Sequence, residues 1–185
     1  MDTWTELSQA EYDDVWTRFE RVFAFRPDTR PEGGPGILEP TPSRTYRFEY
    51  PVHPLDESDL RESALRAFER CVPRSQRMYA LDWNHACYWF DPHAASAQDW
   101  FHPVFPNGDY YIFLARDFSW GLFGHPWEQT ICIFGEPSRR SQRVRRECSA
   151  TSCAAREAPA VCAGRDHAWR AATALRRAEI DAERR

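Results

Sequence analysis

At 185 residues, with 42% hydrophobic and 15% aromatic content, the chain is long enough for one domain with a buried core and too short for two comfortable ones. Its formal charge of −4 hides an asymmetry: residues 1–136 carry 22 acidic side chains against 12 Arg, a net of −10, whereas residues 137–185 carry 6 against 12, a net of +6. The acidic body disfavours nucleic acid, an exclusion that does not extend to the basic tail, and the absence of any Lys removes Schiff-base and P-loop lysine chemistry.

No run is long enough to span a bilayer, and the N-terminus, MDTWTELSQAEYDD, lacks the basic and apolar regions of a secretory signal. A cytoplasmic protein without membrane contact is expected. Six Cys in a reducing compartment, with no C-x-x-C pair, suggest neither disulfides nor a thiolate zinc site. Cys87 and Cys132 sit in apolar runs and read as buried structural thiols.

In chain order, Ser8 and Glu11 form an S-x-x-E capping box, and Tyr12, Val15, Trp16, Phe19, Val22 and Phe23 recur at helical spacing, which predicts a helix over 9–24. Residues 27–42 are rich in Pro, Gly and short polar side chains and read as a loop. Its glycines lack the preceding strand and the following Gly-Lys-Ser/Thr of a phosphate loop. Residues 45–50 alternate, with Tyr46, Phe48 and Tyr50 on one side, and predict a strand with one wet face.

A second helix is predicted over 58–71, with an acidic start at Asp56, Glu57 and Asp59, an apolar stripe of Leu60, Ala64, Leu65 and Phe68, and Pro73 to end it. Strands follow at 78–83 and 86–90, broken at Asn84-His85. After the Asn107-Gly108 turn, residues 110–115 form an apolar run suited to a strand buried on both faces. Arg116-Asp117 reverses the chain into 118–123, and Gly124 and Pro126 flank His125 before a third strand at 127–134.

Helix, strand, helix and then several strands, without βαβ alternation, predict an α+β fold: an antiparallel sheet, its C-terminal part a three-strand meander, with two helices packed on one face. This single domain covers 1–136. Residues 137–164 hold Arg139, Arg140, Arg143, Arg145 and Arg146 with no aromatic, cannot offset their ordering entropy by burial, and are expected to be a disordered linker. Residues 165–185, Ala- and Arg-rich around Trp169, predict an isolated or loosely docked helix.

The segments LDWNHACYWFDPH (81–93) and VFPNGDYYIFLARDFSWGLFGHPWEQTICIFGE (104–136), with WTELSQAEYDDVWTRF near the start and EPTPSRTY after the loop, resemble the uncharacterised bacterial family catalogued as domain of unknown function 2716. The resemblance covers roughly 4–136. It implies a bacterial, cytoplasmic single domain and carries over no activity, cofactor or catalytic residue.

Imidazoles and carboxylates in the aromatic-rich region supply the candidate chemistry. His85, His125, Glu128 and Asp109 are the acid-base candidates, and Asp82, His85, His93, His102, His125 and Glu128 the candidate metal ligands. The pairs Asp82-x-x-His85 and His125-x-x-Glu128 would share a centre only if their strand ends met. Otherwise these residues cap strand ends and turns, as Asp109 after Asn107-Gly108 would. No Gly-x-Ser-x-Gly elbow exists, and Cys87 near His85 lies among Tyr88, Trp89 and Phe90, which favours burial over nucleophilic use. Eight Trp and seven Tyr on an acidic chain supply anchors for recognition, while most of the rings are expected to fill the core between helices and sheet. The expectation is a non-catalytic binding or accessory module, immunity-like, with a protein partner and no cofactor; the alternative is a metal-assisted or acid-base hydrolase.

Overall fold

The computed structural model describes residues 2–28, 30, 36–48, 54–135 and 156–157. Its elements are β1 (Trp4–Glu6), α1 (Gln9–Phe23), β2 (Ser43–Arg47), α2 (Pro54–Cys71), β3 (Met78–Asp82), β4 (Tyr88–Phe90), β5 (Tyr111–Leu114), β6 (Trp120–His125), β7 (Thr130–Gly135) and β8 (Arg156–Glu157). They build one sheet in the order β1-β4-β3-β5-β6-β7-β2-β8, every neighbouring pair antiparallel. The expected α+β class and the β5-β6-β7 meander are both present. Among the described residues no helix is long and apolar enough to cross a membrane.

Local signals set the helix ends. The Ser8 side chain accepts from the Glu11 amide and the Glu11 carboxylate accepts from the Ser8 amide at 2.9 Å, so two donors at the start of α1 are satisfied reciprocally. Glu11 also accepts from Trp89 Nε1 at 3.0 Å, which ties this cap to β4. The C-cap Ala24 turns left-handed (φ 49°) and ends the helix. Helix α2 starts at Pro54, ahead of the expected 58, because proline has no amide to leave unpaired at a first helical position and its φ already suits the turn.

The core is two layers thick, and here the structure corrects the sequence. The two helices lie on opposite faces of the sheet, not on one. Val15, Trp16, Phe19 and Phe23 of α1 pack with Leu81, Ile112, Leu114, Phe123, Cys132 and Phe134. Ala64, Leu65 and Phe68 of α2 pack with Met78, Ala80, Phe113, Leu122 and Ile131. Alternate residues of β3, β5, β6 and β7 thus supply each cluster, and a strand that is apolar at every position has two faces to keep dry. Val22, expected on the buried stripe of α1, is 48% exposed, because the stripe is narrower than the apolar run.

Turn geometry trims the meander. Phe118, expected in a strand, takes φ 67° in the turn between β5 and β6, where its amide donates to the Ala115 carbonyl at 2.9 Å. Its ring returns to stack on Phe23 (6.2 Å) under the Arg18 guanidinium, 4.0 Å from the ring centre. Trp127 likewise falls in the turn before β7. Strand β1 carried no pattern in the sequence, being three residues long; its partner is β4, with Trp4 opposite Phe90. Gly36 lies flat against the core, since a Cβ there would sit 2.9 Å from both the Phe123 and Tyr110 rings.

The expected linker and terminal helix lie outside the described residues, except for Arg156–Glu157, which pair with Arg47 and Tyr46 as β8.

Gly135 has φ 82°, and a Cβ there would strike the Ser119 carbonyl oxygen and lie 2.6 Å from Trp120 Cα. Gly135→Ala should therefore cost about 2–4 kcal/mol and lower the melting temperature accordingly. A melting temperature equal to that of the wild type would rule out this backbone geometry.

His102 is buried at 2% exposure, and its Nε2–H donates to the Leu81 carbonyl at 3.2 Å. Burial lowers its pKa from 6.5 to about 4, opposed by that hydrogen bond. The unfolded chain thus takes up this proton first, so stability present above pH 6.5 is lost as the pH falls toward 4, by about 2–3 kcal/mol at pH 4.5. Urea titrations at pH 4.5 and 7.5 should show a larger acid loss for the wild type than for His102→Gln. Equal losses would mean that His102 is not held neutral.

Candidate functional site

The polar residues that converge do so where β3 and β5 end together. Asp82 closes β3 opposite Tyr111 of β5, so Asp109, two residues before Tyr111, arrives at the same end of the sheet. Beyond Asp82 the chain turns through Asn84 in the left-handed region (φ 64°), and the His85 amide donates back to the Asp82 carbonyl at 3.2 Å. That turn folds the imidazole over both carboxylates. His85 Nδ1 stands 3.0 Å from Asp82 Oδ1 and 3.2 Å from Asp109 Oδ2, and Asp109 Oδ1 accepts from the Tyr110 amide at 2.7 Å.

The electrostatics follow from unequal burial. The Asp82 and Asp109 side chains are less than a fifth exposed, whereas that of His85 is 62% exposed. Burial raises the pKa of both carboxyls; the His85 contact opposes this at Asp82, and the Tyr110 amide opposes it at Asp109. The hydrogen bond to Asp82, reinforced by its charge, raises His85. The imidazole thus sits on the solvent side of two largely buried carboxyls and in contact with both. Burial, with the two carboxylates beyond it, pushes the Tyr111 phenol up to about 12, so it stays neutral.

Chemically, the cluster offers an exposed proton carrier held by two carboxylates. The neighbouring thiol adds nothing to it. Cys87 is buried, its Sγ–H donates to the Asp82 and His85 carbonyls at 3.5 and 3.7 Å, and burial pushes its pKa up to about 11.

The remaining candidates go elsewhere. His93 Nε2 bonds the Val72 carbonyl at 2.8 Å, just past the end of α2, and His102 is the core histidine already described. His125 is buried, and its Nδ1 accepts from the Glu128 amide at 3.2 Å, closing the turn between β6 and β7. Glu128 accepts from Thr130 Oγ1 at 3.4 Å. The two spaced pairs therefore do not share a centre: Tyr110 stands between them, its ring 5.7 Å from Trp83 and 5.2 Å from His125. Among the described residues, Asp82, His85 and Asp109 are the group whose ligand atoms lie within 4.8 Å of one another and that could hold a metal ion.

Beside this cluster lies an aromatic surface that the sequence reading missed. Phe101 is 55% exposed, yet its ring packs on Trp4 at 4.7 Å and edge-on to Tyr88 at 5.0 Å. Trp4 Nε1 donates to the Asp99 carbonyl at 3.2 Å, and Glu6 pairs with Tyr88 across β1 and β4. His102 connects the two regions, with its ring 6.2 Å from Trp4 and 5.4 Å from Tyr111. In the sequence Phe101 is one aromatic in a Pro-punctuated loop, with no periodicity to assign its side. The available signal was its place between Trp100 and His102, which leaves one of three bulky neighbours without room in the core.

A family described as "Protein of unknown function (DUF2716)" matches residues 6–137. The chain is similar to the uncharacterized protein YxiI of Bacillus subtilis (strain 168), with 38% identity over 148 residues, covering 74% of this chain and 90% of that protein. No solved structure matches it. The match spans both helices, strands β2 to β7, all three cluster residues and Phe101, and the chain belongs to this bacterial family, whose function is unknown.

Proposed function

We propose that this domain is a non-catalytic binding module that captures a protein partner on the surface formed by Phe101, Trp4 and Tyr88. The observation that carries the reading is Phe101 itself: a ring left more than half exposed while seated on two aromatic neighbours. Such a ring is already ordered by its support, and burying it against a partner would contribute about 1.5–3 kcal/mol. Glu6, opposite Tyr88 across β1 and β4, and Asp99, whose carbonyl accepts from Trp4 Nε1, put acidic residues beside this surface and favour a partner that presents cations beside its apolar contact. This is the chemistry of an accessory or immunity-like protein. A cytoplasmic setting belongs to the same proposal and is supported by Cys87 and Cys132, both buried free thiols.

A second reading is hydrolysis by the polar cluster, favoured by the convergence of Asp82, His85 and Asp109. Partner capture separates the two. Phe101→Ser should melt within a few degrees of the wild type, since more than half of the residue is already exposed, and should lose a protein that the immobilised wild type recovers and that binds it directly when purified. Equal recovery by both proteins would remove Phe101 from the interface. Multiple-turnover hydrolysis abolished by His85→Ala would replace the binding reading with the enzymatic one.

A further inference from the structure

We propose that Asp82, His85 and Asp109 form a site for a divalent transition-metal ion, with Zn2+ or Mn2+ as the fitting class. This does not rest on the Phe101 surface, and either can fail alone. The ligand atoms are Asp82 Oδ1, His85 Nδ1 and Asp109 Oδ2, with Nδ1 at 3.0 and 3.2 Å from the two oxygens. Bonds of about 2.0–2.2 Å place neighbouring ligand atoms about 3.0 Å apart around an octahedral ion and about 3.4 Å apart around a tetrahedral one. Both nitrogen–oxygen distances fall at these values, and the two carboxylate oxygens lie within 4.8 Å of each other. An ion bound here would replace the contacts that Nδ1 now makes with the two carboxylates.

The scaffold holds each ligand independently. Asp82 sits on the last residue of a paired strand, Asp109 is fixed by the Tyr110 amide, and His85 is set by a turn bonded to the Asp82 carbonyl. Ligands fixed before the ion arrives leave less ordering to be done on binding. Two carboxylates and a neutral imidazole carry a charge of −2, which a divalent ion balances. The exposed imidazole marks the open side, where water completes the coordination shell.

The donor set also selects the ion. An imidazole nitrogen beside two carboxylate oxygens suits zinc, manganese or cobalt better than calcium or magnesium, which prefer oxygen alone. The nearby thiol is not a ligand, because Cys87 Sγ is turned into the core toward the Asp82 and His85 carbonyls.

The test uses the full chain, stripped with chelator and titrated with ZnCl2, MnCl2 and CoCl2 by calorimetry, with bound metal counted after dialysis. One ion per chain is expected, with affinity reduced at least tenfold in His85→Ala and in Asp109→Asn, while His53→Ala and His167→Ala bind as the wild type does. The metal-free His85 and Asp109 variants should keep the wild-type circular dichroism, so that a lost ion is not a lost fold. Bound cobalt should show weak visible bands of oxygen and nitrogen ligation without a thiolate charge-transfer band. Wild-type affinity in His85→Ala, no binding to the wild type, or a thiolate band from cobalt would each overturn the assignment.

Discussion

Phe113 and Leu114 are consecutive residues of β5, both fully buried, and they point to opposite sides of the sheet. Leu122 and Phe123 do the same in β6, and Ile131 and Cys132 in β7. A strand whose every position is apolar is stable only if both faces are shielded from water, and each buried side of this sheet spans several strands. Two helices on one face would leave the other wet. The placement of α1 against one side and α2 against the other follows from this single constraint, as does much of the aromatic content, since Phe19, Phe23 and Phe68 are the rings that fill the gaps between helix and sheet.

The polar cluster is a by-product of the same strand pairing. The antiparallel register of β3 and β5 puts Asp82 opposite Tyr111, and the chain has no choice but to bring residue 109 to that end of the sheet. Two carboxylates meeting at the border of a buried region repel each other and lose solvation, and both have pKa values raised by burial. The His85 imidazole, swung back by the left-handed Asn84, offsets that cost from the solvent side. A centre that gathers negative charge, holds it in fixed geometry and leaves one side open is chemically ready for a cation, whether that cation is a proton on Nδ1 or a metal ion.

Phe101 differs in kind from the cluster. The loop between β4 and β5 sends Trp100 into the α2-side core, where it stacks near Phe68 and Phe90, and His102 into a buried hydrogen bond with the Leu81 carbonyl. Its neighbours on both sides are thereby committed inward, and Phe101 is turned outward onto Trp4 and Tyr88. The exposure of this ring is thus the consequence of two buried neighbours. It is also why the aromatic surface and the carboxylate cluster lie close together, with His102 and Tyr111 between them.

What the sequence determined by itself is everything that neighbouring residues encode. The capping box of Ser8 and Glu11, the helical spacing from Val15 to Phe23, the turn residues around 116 and 126, and the apolar runs of β3, β5, β6 and β7 are local signals, and each became an element of the predicted kind, with strand ends moved by up to three residues. The motif segments also placed the chain in its family, and Asp82-x-x-His85 was legible as a pair because three residues across a turn are enough to bring the two side chains together. Tertiary structure alone decided the rest. Asp109 joins that pair, and His125 and Glu128 do not, because strand register between distant segments carries no signature in either segment alone. The face each helix covers, the inward turn of His93, His102 and His125 onto backbone, and the outward turn of Phe101 likewise depend on which surfaces remain to be buried after the sheet has formed. Buried area is a property of the whole assembled chain and is written in no single stretch of it.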